Sequence, residues 1–247
     1  CLLWYDRYDY FIVSDKTRQP CRWRRTMDKS YLTVAKTAEA ELVIERSRFI
    51  AYLSRAASPE EAQAFLEQIK ARHREATHHC LAYVTGPGGN QQKADDDGEP
   101  SGTAGRPILE VLKKHGLRDT VAVVVRYFGG IKLGAGGLVR AYSQAAAEGI
   151  KAAGIVRRTL HRKLDVTIDY TWLNQVEKSI QNRGRTIANI AYLDTVTITL
   201  FSPLGSEKED EAWLINLTNG QAKISLGDLI YKDEPVTSVE ASDNPSS

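Results

Sequence analysis

The chain has 247 residues, 42% hydrophobic and 26% charged, which suits one large or two ordinary globular domains and excludes fibrous and wholly disordered classes. Its net charge of +2 divides as +3 over residues 1–26 (6 basic, 3 acidic), +4 over 27–160 (19 and 15) and −5 over 161–247 (8 and 13), short of the balance of a strongly basic nucleic-acid binder. No run reaches the roughly 20 apolar residues of a membrane helix, and the cysteines at 1, 21 and 80 have neither metal-finger nor disulfide-framework spacing, so reduced thiols and a cytoplasmic location without membrane partners are expected.

Residues 1–26 crowd aromatics without a period and end on Arg22, Arg24 and Arg25, ahead of the only methionine, Met27. They are read as a leader outside the folded domains and not native to them. Within residues 40–55, Leu42, Ile44, Phe49, Ala51 and Leu53 alternate as a hairpin or meander. Ser58-Pro59-Glu60-Glu61 opens a helix, with Ser58 as cap and Glu61 at the capping-box position. Ala62, Phe65, Leu66 and Ile69 form its apolar face, and Lys70, Arg72 and Arg74 make its end basic. Residues 78–84 read as a strand, in which His78 shares a face with Cys80 and not with His79. A His78–Cys80 metal pair is therefore conceivable, against the plainer reading of a half-buried histidine beside a buried thiol.

Residues 86–105 have no period. They contain Gly86-Pro87-Gly88-Gly89-Asn90 and then a second glycine-rich stretch loaded with Asp95, Asp96, Asp97 and Glu99. Carboxylates at that density suit a divalent cation, but the spacing is not that of a calcium loop. Turn formation and capping ahead of Arg106-Pro107-Ile108-Leu109 is the preferred reading, with Ile108, Leu109, Val111 and Leu112 as the apolar face of the helix that follows. Residues 121–125 are apolar and mostly β-branched, as in a strand buried on both faces. Arg126-Tyr127-Phe128 then leads into the loop of residues 129–137, and a small-residue helix runs from Gly136 to about Ala153. Five glycines in nine residues serve either an anion site or a tight packing turn. The Walker A pattern fails, because Ala135 and Gly136 stand where lysine and a hydroxyl are required, and the dinucleotide pattern fails at Val139.

Beyond residues 157–163 the texture changes to strand (164–170), helix (172–183), two strands (186–192 and 195–201), helix (209–217) and strand (222–231). This β-α-β-β-α-β order is that of the ferredoxin-like fold. Residues 233–247 are rich in Glu, Ser, Asp and Pro and read as a disordered tail.

Asp96-Asp97-Gly98-Glu99-Pro100-Ser101-Gly102-Thr103-Ala104-Gly105, followed by Val124-Val125-Arg126-Tyr127-Phe128-Gly129-Gly130-Ile131-Lys132-Leu133-Gly134, resembles the signature of the YigZ/IMPACT family, in its bacterial form without an RWD domain. The likeness runs from about Met27 to Tyr231. It implies an α+β protein of two domains: residues 27–160 like domain 2 of ribosomal protein S5, and residues 161–232 ferredoxin-like, similar to domain V of elongation factor G. It also implies an association with RNA or the ribosome and a part in translation regulation, and supplies no catalytic residues.

Three functions are thereby in play. The first is a non-catalytic module that binds RNA or a ribosomal component, with Arg106, Arg126, Lys132 and Arg140 and the N–H groups near Gly134, Gly136 and Gly137 meeting phosphates. The second is an enzyme on a phosphorylated small molecule, with Mg²⁺ held by Asp95, Asp96, Asp97 and Glu99; outside that alternative no cofactor or metal is expected. The third is a protein-interaction scaffold in which both glycine motifs are structural.

Overall fold

The computed structural model describes residues 28–236, so the expected leader and the tail beyond residue 236 lie outside the described residues. The chain divides into two compact units: the first holds the described residues up to Arg158 and those from Asp233, the second Thr159–Lys232.

The first unit is built on an antiparallel sheet in the order β2-β3-β6-β4-β5. After β1 (Ser30–Val34), β2 (Ala38–Ile44) and β3 (Ser47–Arg55) form the expected hairpin. They are joined by Glu45 and Arg46 with φ of 46° and 62°, the paired left-handed residues of a tight hairpin turn. β6 (Thr120–Tyr127) lies between β3 and β4 (His78–Thr85). Its residues Val121 to Val125 are fully buried, each valine contributing roughly 1.5–3 kcal/mol by leaving water. Alternation splits this run between two cores. Ala122 and Val124 join Phe49, Leu53 and Cys80 under α2 (Gly105–Lys114) and α3 (Gly134–Ala153). Val121, Val123 and Val125 join Tyr52 and Leu81 under α1 (Pro59–Arg72). The start of α1 follows its sequence: the Glu61 N–H donates to Ser58 Oγ at 3.3 Å, and Glu61 Oε2 accepts the Ala57 N–H at 2.7 Å.

The stretch without a period differs from expectation, because residues 91–95 form a strand, β5 (Gln91–Asp95), at the edge of the sheet. Gln91, Gln92, Lys93 and Ala94 are exposed. Their side chains carry no hydrophobic alternation, and the strand is held chiefly by main-chain pairing with β4.

The second unit has the β-α-β-β-α-β order: β7 (Ile155–Ile168), whose first residues belong to the first unit, α4 (Leu173–Asn182), β8 (Thr186–Tyr192), β9 (Val196–Pro203), α5 (Glu207–Leu217) and β10 (Lys223–Pro235). The strands lie in the order β10-β7-β9-β8, the ferredoxin-like arrangement. Leu164, Val166, Ile168, Val196, Ile198 and Leu200 pack beneath Val176 and Ile180 of α4 and Leu214 of α5. β10 continues to Pro235, past residue 233 where the tail was expected to begin.

Candidate nucleic-acid interface

The two glycine-rich motifs meet in a buried polar cluster. Glu99 Oε1 accepts from Arg126 Nη1 at 2.6 Å and from the Tyr142 hydroxyl at 2.7 Å, and His78 Nε2 lies 3.7 Å away. The Glu99 and Arg126 side chains are 3% and 6% exposed, so this ion pair is almost wholly withdrawn from water. Burial above all, with the Cys80 thiol and the Glu99 carboxylate close by, holds the Tyr142 hydroxyl far above its ordinary pKa. It therefore stays protonated and serves as a donor. Burial likewise pushes the Cys80 thiol well up, and its Sγ donates to the Asp96 carbonyl oxygen at 3.1 Å.

Each carboxylate of the acidic loop has a separate task. Asp96 Oδ1 accepts the N–H groups of Ala104 (3.0 Å) and Gly105 (2.8 Å), and Oδ2 accepts that of Gly102 (2.7 Å), so Asp96 caps α2 from eight and nine residues upstream. Gly105 is required where α2 begins, since a Cβ there would collide with the Asp95 backbone. Asp97 turns the other way. Its Oδ2 accepts the His79 N–H at 2.7 Å, and Oδ1 lies 3.9 Å from Lys70 Nζ on α1. Asp95 Oδ1 accepts the Asp97 N–H at 3.0 Å. The four acids thus do not converge, and among the described residues no group of three or more His, Cys, Asp or Glu is gathered to hold a metal ion. His78 and His79 point apart: His78 Nδ1 bonds to the Asp97 carbonyl oxygen at 2.8 Å, whereas His79 Nε2 bonds to that of His73 at 3.0 Å.

The glycine loop is anchored at its base and open beyond it. Ser47 Oγ accepts from the Gly129 N–H at 3.2 Å and from Arg126 Nη2 at 3.4 Å. Gly129 lies so close to the β2–β3 turn that a Cβ would overlap the Arg46 carbonyl. Arg126, expected among the phosphate-binding cations, is instead buried and committed to Glu99, because strand alternation turns it to the same face as Ala122 and Val124. Beyond the anchor Lys132, Gly134, Gly136 and Arg140 are exposed, and Gly137 is half-buried against Leu133. At the start of α3 Leu133 provides no side-chain cap, the first turn holds no acidic residue, and Gly134 and Gly136 are open to solvent. The Arg140 side chain folds back toward Gly136. Phe128 is 48% exposed, with the Arg126 guanidinium 5.3 Å from its ring centroid. Arg106 stands elsewhere, at the start of α2 beside Val139.

No helix among the described residues is long and apolar enough to cross a membrane. The Impact N-terminal domain family matches residues 45–150, and a family described as a domain of unknown function, DUF1949, matches residues 166–221. The IMPACT family member YvyE of Bacillus subtilis is 49% identical over 214 residues, covering 85% of this chain and 97% of its own length. The IMPACT family member YigZ of Escherichia coli is 35% identical over 198 residues, covering 79% and 97%. A solved structure described as that of a hypothetical protein is 34% identical, covers 80% of this chain and 97% of its own, and superposes with a TM-score of 0.54. Two relatives matched over nearly their whole length, with both domain matches in the same chain, place it in the IMPACT family.

Proposed function

We propose that the chain is a non-catalytic RNA-binding protein that works in the cytoplasm at or with the ribosome, as a regulator of translation, and grips the phosphate backbone of single-stranded RNA at the start of α3. The observation that carries this reading is the exposed, uncapped first turn of α3 with Lys132 and Arg140 beside it and no acidic residue to compete. Phosphate suits such a turn through its free N–H groups, the helix dipole and the two cations. Phe128, half in solvent, offers a ring on which a base can stack. The magnesium-dependent alternative draws no support from the acidic loop, whose carboxylates serve separate backbone and side-chain partners.

Fluorescence anisotropy with labelled oligouridine at several salt concentrations tests the reading. Two to three phosphate contacts on a single strand give a log–log salt slope of about −1.4 to −2.1. Lys132→Glu with Arg140→Glu flattens that slope, and Phe128→Ala weakens binding about 5-fold or more at any salt. Oligouridine binding that ignores salt, or that the double charge reversal leaves intact, overturns the assignment.

A further inference from the structure

α2 and α3 lie side by side on one face of the first unit's sheet, and between them runs a groove of about 470 Å³. Its floor is apolar: Pro107 and Val111 from α2, and from α3 Val139, 38% exposed. Along α2 the walls carry Arg106, Glu110 and Lys114. Glu110 is neutralised by Lys113, whose Nζ lies 3.2 Å from its Oε1. Arg106 and Lys114 are exposed, and neither has an acidic partner among the described residues. The groove is therefore greasy along its middle and positive at both ends.

We infer that this groove docks an acidic amphipathic helix of another protein. Arg106 and Lys114 are eight positions apart on α2, about 12 Å along its axis at about 1.5 Å per residue. A helix laid alongside meets both with carboxylates seven or eight residues apart, and the apolar residues three or four from each fall on Pro107, Val111 and Val139. RNA fits the groove less well, since its floor offers no aromatic ring for a base and the Glu110 carboxylate lies in the wall. A second copy of this chain fits poorly too: a two-fold contact would set Arg106 and Lys114 against their own like charges. The groove adjoins the α3 turn proposed to meet RNA, Val139 preceding Arg140 on α3, but none of its lining residues is Lys132, Arg140 or a residue of the glycine loop.

The full-length chain is panned against a phage-displayed library of randomised 16-residue helical peptides, with counter-selection on Val139→Asp, and enriched peptides are measured by fluorescence anisotropy. The expected outcome is a consensus of acidic residues seven or eight apart bracketing apolar ones. Binding should be weakened at least 10-fold by Val139→Asp and by Lys114→Glu and unchanged by Lys132→Glu, with circular dichroism and melting temperature confirming that each variant folds. Enriched peptides that are neutral or basic, or that bind all three variants alike, overturn the inference. So does labelled oligouridine that loses its affinity in Lys114→Glu, which assigns the groove to RNA. A dimer that Val139→Asp converts to a monomer overturns it in favour of self-association.

Discussion

Replacing Glu99 with alanine should cost the first unit more than any surface substitution, and the size of the loss follows from what is left behind. Arg126 keeps its charge but loses its carboxylate. Ser47 Oγ at 3.4 Å is then its remaining side-chain hydrogen-bond acceptor, since its buried Nε has no hydrogen-bond partner even in the intact protein. Tyr142 loses its acceptor as well. Breaking a buried ion pair by removing one partner costs about 3–5 kcal/mol. Trp172 and Trp213, the tryptophans among the described residues, belong to the second unit, so their fluorescence follows the wrong half of the chain. Hydrogen exchange of the β6 peptide spanning residues 121–125 is the direct readout. A loss of 3–5 kcal/mol lowers its protection roughly 150- to 5,000-fold, since 1.36 kcal/mol is about a factor of ten. The β9 peptide should retain its protection. Glu99→Gln, which preserves an oxygen acceptor for Tyr142 without the charge, should fall between. The double variant Glu99→Leu, Arg126→Met removes both charges and should be less destabilised than Glu99→Ala alone. A less than 10-fold change in β6 exchange for Glu99→Ala, or a double variant as unstable as the single, would refute the account of Glu99 as the hub of two motifs.

Gly129→Ala should destabilise the first unit by about 3 kcal/mol, because the new Cβ meets main chain at Arg46 that has no rotamer to change; Gly136→Ala, which meets nothing nearer than the end of Arg140, should be neutral or stabilising by up to about 1 kcal/mol, both read by urea denaturation. His73 bridges Tyr52 OH (2.7 Å) and Tyr127 OH (2.8 Å), and burial first, then the charge of Arg72, lowers its pKa from the ordinary histidine value. The folded state then binds the proton less readily than the unfolded one. Its stabilising effect is complete above a pH of about 6.5 and is lost as the pH falls through the lowered folded pKa. The stability difference between wild type and His73→Gln should therefore shrink from pH 8 to pH 5, and a flat difference would refute it. Cys80, fully buried with its thiol pKa raised, should resist iodoacetamide in the native protein and react on unfolding, as peptide mass spectrometry would show.

Much of the fold can be read from local pattern, because its elements bury surfaces with a period. Val121 to Val125, the Ser58 cap and the β-α-β-β-α-β order of the second unit declare themselves through alternation, spacing and turn residues. β5 does not, since an exposed edge strand held by main-chain bonds leaves no trace in side-chain hydrophobicity. The site is harder for a related reason. Glu99 and Arg126 are 27 positions apart and meet only because β4 and β6 pair in the register that sets His78 opposite Arg126. One signal was available: extending the alternation of Ala122 and Val124 by two residues turns Arg126 inward. A cation next to a glycine loop invites the opposite reading. Capping ahead of α2 was legible as a need, but its source, Asp96, depends on the loop folding back over eight and nine residues.

Within the two motifs, side chains that hold and groups that reach are interleaved, and this decides which experiments can speak to function. Asp96, Glu99, Arg126, Gly105 and Gly129 hold: they cap α2, pin β6 to α3 through Tyr142, and seat the loop on Ser47 and Arg46. Phe128, Lys132, Gly134, Gly136 and Arg140 reach, each exposed and free to meet a ligand. The two sets are mechanically joined, because Tyr142 lies about two turns along α3 from its open first turn. Releasing Tyr142 from Glu99 therefore loosens the helix that presents the N–H groups as well as the core beneath it. An Arg126 or Glu99 variant that loses RNA binding would accordingly reveal nothing about phosphate contacts. A Lys132 or Arg140 variant that loses binding with β6 exchange unchanged would locate the contact at the loop, since the frame that positions it would still be intact.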